Sequence, residues 1–137
     1  MRKTELIELS TEECWWHLAE KSVGRLAVSV ANRPDIFPVN YRIDGETIVV
    51  KTAPGFKLAA ATLGSGVAFE VDQLDEAART GWSVVVHGQA TEIERLEELL
   101  DADDLEVGPW AAGTKNHYIR INPTAVTGRR VPAAGSD

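Results

Sequence analysis

Lys51, Thr52 and Lys57 are the residues whose types and spacing could do chemistry together. They lie in TIVVKTAPGFKLAAA (47–61), where an apolar strand runs into Lys51-Thr52, breaks at Pro54-Gly55 and restarts as a helix with Lys57 in its first turn. A strand end, a tight turn and a helix start gather backbone N–H groups, a hydroxyl and ammonium groups around one small volume. The positive end of the helix dipole there favours an anion, and a phosphate group suits the donors. Taken alone, the same residues also describe a solvated helix start after an ordinary turn.

No other group of side chains offers a reaction. There is no Gly-x-Ser-x-Gly elbow and no Cys–His pairing for nucleophilic catalysis, and no histidines, cysteines or carboxylates show metal-ligand spacing. His17 falls in a helix, His87 in an apolar strand and His117 at a strand start, all readable as structural. Glu70, Asp72 and Glu92 alternate with apolar residues and read as the wet faces of strands. No catalytic side chain and no metal site is expected, so any chemistry must belong to a bound cofactor.

Composition narrows the partners. Fourteen basic residues against twenty-one acidic ones give a formal charge of -7, which opposes nonspecific attraction to nucleic acid or an anionic membrane. A single cysteine, Cys14, forbids an intramolecular disulfide and reads as packing, which fits a reducing cytoplasm. Residues 1–10 lack the apolar run of a signal peptide, and no segment is long and apolar enough to span a bilayer. The 137 residues, 44% hydrophobic, suffice for one core, so we expect one domain, 1–137, with 1–8 and 132–137 flexible.

The elements that must position the cradle are mostly strands. Ser10-Thr11-Glu12-Glu13 is a capping box that starts a helix with Trp15, Leu18 and Ala19 on its apolar face. Strands follow at 25–30, 36–43, 47–52 and 67–74, with a turn at Asn32-Arg33-Pro34 and a hairpin at Asp44-Gly45. Pro38 cannot donate to a ladder, so it belongs at an edge, a bulge or a point where a ligand lies against the backbone. Residues 82–93 form the longest strand, with a bulge or bend at Gly88, and 117–121 and 125–131 close the sheet. Short helices are expected at 56–63 and 96–100. This pattern predicts a mainly β chain with short helices, folded as a closed or nearly closed antiparallel barrel.

The segments LSTEECWWHLAEKSVGRLAVSV, FPVNYRIDGETIVVKTAPGFKL, VAFEVDQ, GWSVVVHGQATEIE and YIRINPTAVTGRR, in this order and spacing, resemble the pyridoxamine 5′-phosphate oxidase-like family of FMN-binding split barrels. Within it they look like the short actinobacterial flavin or deazaflavin oxidoreductases. The resemblance implies an antiparallel split β-barrel and a homodimer with two cofactors in clefts between subunits. It assigns Thr52 and Lys57 to the cofactor phosphate, with Lys51 beside them. It also places Val39, Asn40 and Tyr41 along the isoalloxazine ring, and Trp82 and Ser83 near the flavin on the long strand; Trp110 and Tyr118 are further candidates by their aromatic character alone. The implied function is an FMN-dependent oxidoreductase acting on a small molecule, with an F420-dependent reductase or a non-catalytic flavin carrier as alternatives. Arg25, Arg120, Arg129 and Arg130 are candidates for an F420 tail. Lys51 departs from the His of nitroimidazole-resistance relatives, and the tail VTGRRVPAAGSD lacks the Trp- and Arg-containing segment that binds a vitamin B6 phosphate.

Overall fold

A computed structural model describes residues 6–52, 66–93 and 117–132. One helix and seven strands follow in the order β1 (Ile7–Glu8), α1 (Thr11–Glu20), β2 (Val23–Val30), β3 (Arg33–Asp44), β4 (Thr47–Thr52), β5 (Gly66–Asp75), β6 (Thr80–Glu92) and β7 (His117–Val131). The expected helices at 56–63 and 96–100, and Lys57 and Trp110 with them, lie outside the described residues.

All pairings are antiparallel, and the order β7-β4-β3-β2-β5-β6 returns to β7 through a β6–β7 ladder, which closes a six-stranded barrel. Closure leaves no full-length free edge. Ile7 and Glu8 pair as β1 with Arg130 and Arg129 of β7.

The hairpins obey their turn chemistry. At the β2–β3 turn, Ala31 and Asn32 both take positive φ (50° and 62°), the requirement of a two-residue turn matched to strand twist. The turn therefore sits at Ala31-Asn32 rather than Asn32-Arg33-Pro34, and Arg33 already pairs with Val30. Gly45, with φ 62°, opens the β3–β4 turn after the Asp44–Thr47 pair.

The two closing strands expected at 117–121 and 125–131 form one strand of 15 residues. The register shift between His87 and Gly88 pairs His87 with Ala125 and Gly88 with Pro123, so Thr124 is the extra residue. The bulge absorbs Pro123, whose missing N–H would interrupt a regular ladder. The Thr124 hydroxyl ties it down by donating to the His87 carbonyl at 3.2 Å.

Alternation sets the core. Leu26, Val28, Val39, Tyr41, Ile48, Val50, Phe69, Val71, Val84, Val86, Ile119 and Ile121 meet inside the barrel. The helix α1 packs on β7, β3 and β6 and buries Cys14 and Leu18. Its start is the expected capping box: Ser10 accepts from the Glu13 amide at 3.1 Å, and Glu13 accepts from the Ser10 amide at 3.0 Å. These bonds hold the Glu13 carboxyl below its usual range. At the other end, the Tyr41 hydroxyl donates to the Leu18 carbonyl at 2.5 Å, satisfying an acceptor that the helix terminus leaves open. Burial pushes the Tyr41 phenol well above its ordinary range. We expect Tyr41→Phe to lower stability by about 1–2 kcal/mol in urea unfolding, because the Leu18 carbonyl then loses its buried donor.

Candidate functional site

The site is built where β4 ends. Along β4, Ile48 and Val50 point into the core, so Val49 and Lys51 face outward. Cross-strand pairing sets Asn40 opposite Lys51 on one side and Tyr118 opposite it on the other, while Val23 lies beyond Asn40. Directly paired residues share a face, so Val23, Asn40, Lys51 and Tyr118 form one row on the outer surface. Asn40 is 4% exposed and Tyr118 3%, although both face away from the core, and Lys51 is half-buried. A cation and an amide held in such a patch are screened little by solvent, which strengthens their pull on an anion. The Asn40 amide reaches the Ser22 carbonyl only at 3.5 Å, so a better acceptor could take it at small cost.

Beside this row the sheet opens. The β3–β4 ladder stops at Asn40–Lys51, and among the described residues 33–39 pair only with β2. The Tyr41 amide donates toward β2, to the Ser22 carbonyl at 3.0 Å. Alternation then turns the backbone of Asn40, Pro38, Ile36 and Pro34 toward the other side, where β4 has ended. Two of those four residues are prolines and carry no N–H, which blunts the opening against another strand. Among the described residues its carbonyls have no strand partner. Among the described residues Pro38 therefore lies on an edge, one of the three sequence alternatives, next to a polar patch.

The sequence-predicted site residues divide. Asn40 and Lys51 come together, and Thr52 follows Lys51 opposite His117. Val39 and Tyr41 send their side chains into the core, and their backbone faces β2. Among the described residues, the β3 main-chain groups turned away from β2 and without a partner strand are those of Pro34, Ile36 and Pro38. Trp82 and Ser83 stand apart on β6, which lies three strands from β3 in either direction around the six-stranded ring. Outward side chains on β3 and β6 therefore point to opposite sides of the barrel. Ser83 shares the outer face with its partners Asp72 and Arg129. Trp82 has the parity of Val84 and Val86, and its ring stacks on His17 of α1 with centroids 4.2 Å apart. His17, read as structural in its helix, is partly exposed and packs on Trp82, with Nδ1 3.2 Å from a Glu20 carboxylate oxygen.

One cluster differs from the sequence reading. Glu70 and Asp72, expected on a wet strand face, are only about one-third exposed and share Arg25 of β2, which pairs directly with Glu70 in the ladder. Arg25 Nε donates to Glu70 at 2.7 Å, and Nη2 lies 3.2 Å from Asp72. Burial raises the Glu70 carboxyl pKa, a hydrogen bond with Asp72 adds to the rise, and Arg25 opposes both. The alternating charges Arg25, Glu70 and Asp72 on neighbouring strands were the signal available in the sequence, but their register was not. Among the described residues no group of three or more His, Cys, Asp or Glu could hold a metal ion, and no helix is long and apolar enough to cross a membrane.

Comparison with known proteins agrees with this architecture. A family model described as pyridoxamine 5′-phosphate oxidase matches residues 10–130. An uncharacterised protein of Mycobacterium tuberculosis is 35% identical over 134 residues, covering 94% of this chain and 88% of its own length. The structure of an FAD binding protein from Mycobacterium smegmatis superposes with a TM-score of 0.79 at 37% identity, covering 92% of this chain and 100% of that one. An FAD-binding protein from Mesorhizobium loti gives 0.82 at 25% identity, covering 95% and 99%. With matching sequence over residues 10–130 and a matching fold, the chain belongs to the pyridoxamine 5′-phosphate oxidase family.

Proposed function

We propose that this protein binds a flavin, FMN by preference, and serves as an oxidoreductase acting on a small molecule in the cytoplasm. The observation that carries the reading is the pairing of half-buried Lys51 with buried Asn40 at the point where the β3–β4 ladder ends and the Pro38 edge opens. Relatives at 37% and 25% identity that bind FAD support it. The residues fit the group: an ammonium and the Thr52 position suit the phosphate, and a strand edge whose carbonyls have no strand partner among the described residues suits a flat heterocycle with its own N–H and carbonyl groups. Lys57 joins the phosphate end in this reading.

When bound, the flavin supplies hydride and electron transfer, so no side chain of this chain need act as acid, base or nucleophile. Lys51 and Thr52 anchor the phosphate, Asn40 orients the ring against β3, and the shielded patch excludes water from one face. In this reading Ser83 meets the ring from a second copy, because outward side chains of β6 and β3 point to opposite sides of the barrel, while Trp82 stays packed on His17. The site is then a composite of a homodimer.

The test is the visible spectrum of the purified protein, followed by titration with FMN, FAD and F420. We expect micromolar or tighter FMN binding and flavin absorbance maxima. Tight binding of F420 with none of FMN would replace FMN by the deazaflavin, and binding of none would end the reading. Turnover with NAD(P)H separates an enzyme from a carrier.

A further inference from the structure

We infer that Arg25 makes this site prefer the reduced flavin over the oxidised one, an inference that rests on the flavin reading above. Arg25 sits on the outer face of β2, directly opposite Pro38. Side chains so paired have Cβ atoms about 4.5–5.5 Å apart, so a ring lying over Pro38 meets Arg25 at its border. Lys51 lies on the far side of β3, two strand spacings or about 10 Å from the strand of Arg25. A ligand with its phosphate at Lys51 and its ring over Pro38 therefore ends at the guanidinium.

That guanidinium is both fixed and charged. Nε and Nη2 are held by Glu70 and Asp72, which orients the planar fork, while Nη1 has no partner among the described residues. Its side chain is 37% exposed, open enough to touch a ligand.

Reduction of a flavin by two electrons with uptake of one proton leaves one negative charge, located at the pyrimidine end of the ring, the end that this proposal sets against Arg25. A preorganised cation there stabilises the reduced form selectively, because the oxidised ring carries no such charge. Lys51 cannot do this, since its charge serves the phosphate, which is present in both forms.

The test compares affinities for FMN and for dithionite-reduced FMN, measured anaerobically at one pH, in the wild type, Arg25→Gln, Arg25→Lys and Glu70→Gln. Arg25→Gln is expected to lower the preference for the reduced form by about tenfold, the loss of one charged hydrogen bond. Arg25→Lys should retain most of the preference, and Glu70→Gln, which removes only negative charge, should hold or raise it. A purely structural cluster would instead lower both affinities together in the Arg25 and Glu70 variants. If Arg25→Gln still binds FMN and its preference stays within about twofold of wild type, Arg25 does not tune the site and the flavin reading survives. Should Arg25→Gln fail to fold, a reduced preference in Glu70→Gln overturns the inference by itself. A wild type that binds neither form overturns both readings.

Discussion

Phe69→Ala is expected to remove about 3–5 kcal/mol of stability, the cost of deleting a fully buried aromatic ring. Phe69 has no solvent exposure and meets the Tyr41 ring edge-on, with centroids 4.9 Å apart and planes at 73°. It also lies against Gly24, where an added Cβ would come within 2.8 Å of the ring's Cε1 atom. The ring therefore joins β2, β3 and β5 in one contact, and the barrel wall between Pro38 and Arg25 depends on it. Since domains of this size are stable by about 5–15 kcal/mol, the change consumes a large share of the total. Urea unfolding should show a lower midpoint at unchanged slope. Gly24→Ala, unfavourable in the wild type because its methyl enters the ring, should cost less on the Phe69→Ala background. A loss below about 1 kcal/mol in Phe69→Ala would mean that the ring does not occupy this core.

Lys51→Ala is expected to weaken FMN binding by about 1.5–3 kcal/mol, or roughly 10- to 150-fold. Lys51 is half-buried, so its charge is shielded from bulk solvent, and its β4 position fixes it beside Asn40. Removal leaves the phosphate without this cation while the core residues Ile48 and Val50 keep their packing. Stability should change little, which separates a binding role from a structural one. Isothermal titration with FMN and urea unfolding of the same variant provide the two readings. Unchanged affinity would remove Lys51 from the site.

Much of this was legible because local chemistry and tertiary structure agree. The capping box at Ser10, the Gly45 turn and the alternation in 67–74 each demand one backbone conformation, and each is present. Pro38 was informative for the same reason: a missing N–H restricts where a strand residue can sit. The turn at Ala31-Asn32 was misplaced because Pro34 draws attention, whereas the β2–β3 register requires positive φ one step earlier. One long β7 was read as two strands because Pro123 argues against a continuous ladder, and only the bulge at Thr124 reconciles them.

The site was legible in its parts and not in its arrangement. Lys51 beside Thr52 is visible in sequence, but their position relative to Asn40 depends on hairpin register. Trp82 and Ser83 illustrate the limit most clearly. The family resemblance groups them with Asn40 around one ring, while the closed barrel sends β6 and β3 in opposite directions. Sequence order carries no information about which copy of the chain supplies a residue. Arg25, Glu70 and Asp72 looked like solvated charges for a similar reason, since their mutual contact is created by the β2–β5 pairing.

Subunit complementation tests the composite flavin site most directly. Lys51→Ala removes the phosphate half, and Ser83→Trp fills the space offered from the opposite half. Each variant alone is expected to bind FMN weakly. Unfolded, mixed in equal amounts and refolded together, they should recover about one wild-type-affinity site per four chains, because half of the dimers are mixed and each mixed dimer has one intact site. Recovery of no tight site from a mixture that does form mixed dimers, or wild-type affinity in Ser83→Trp alone, would contradict the account.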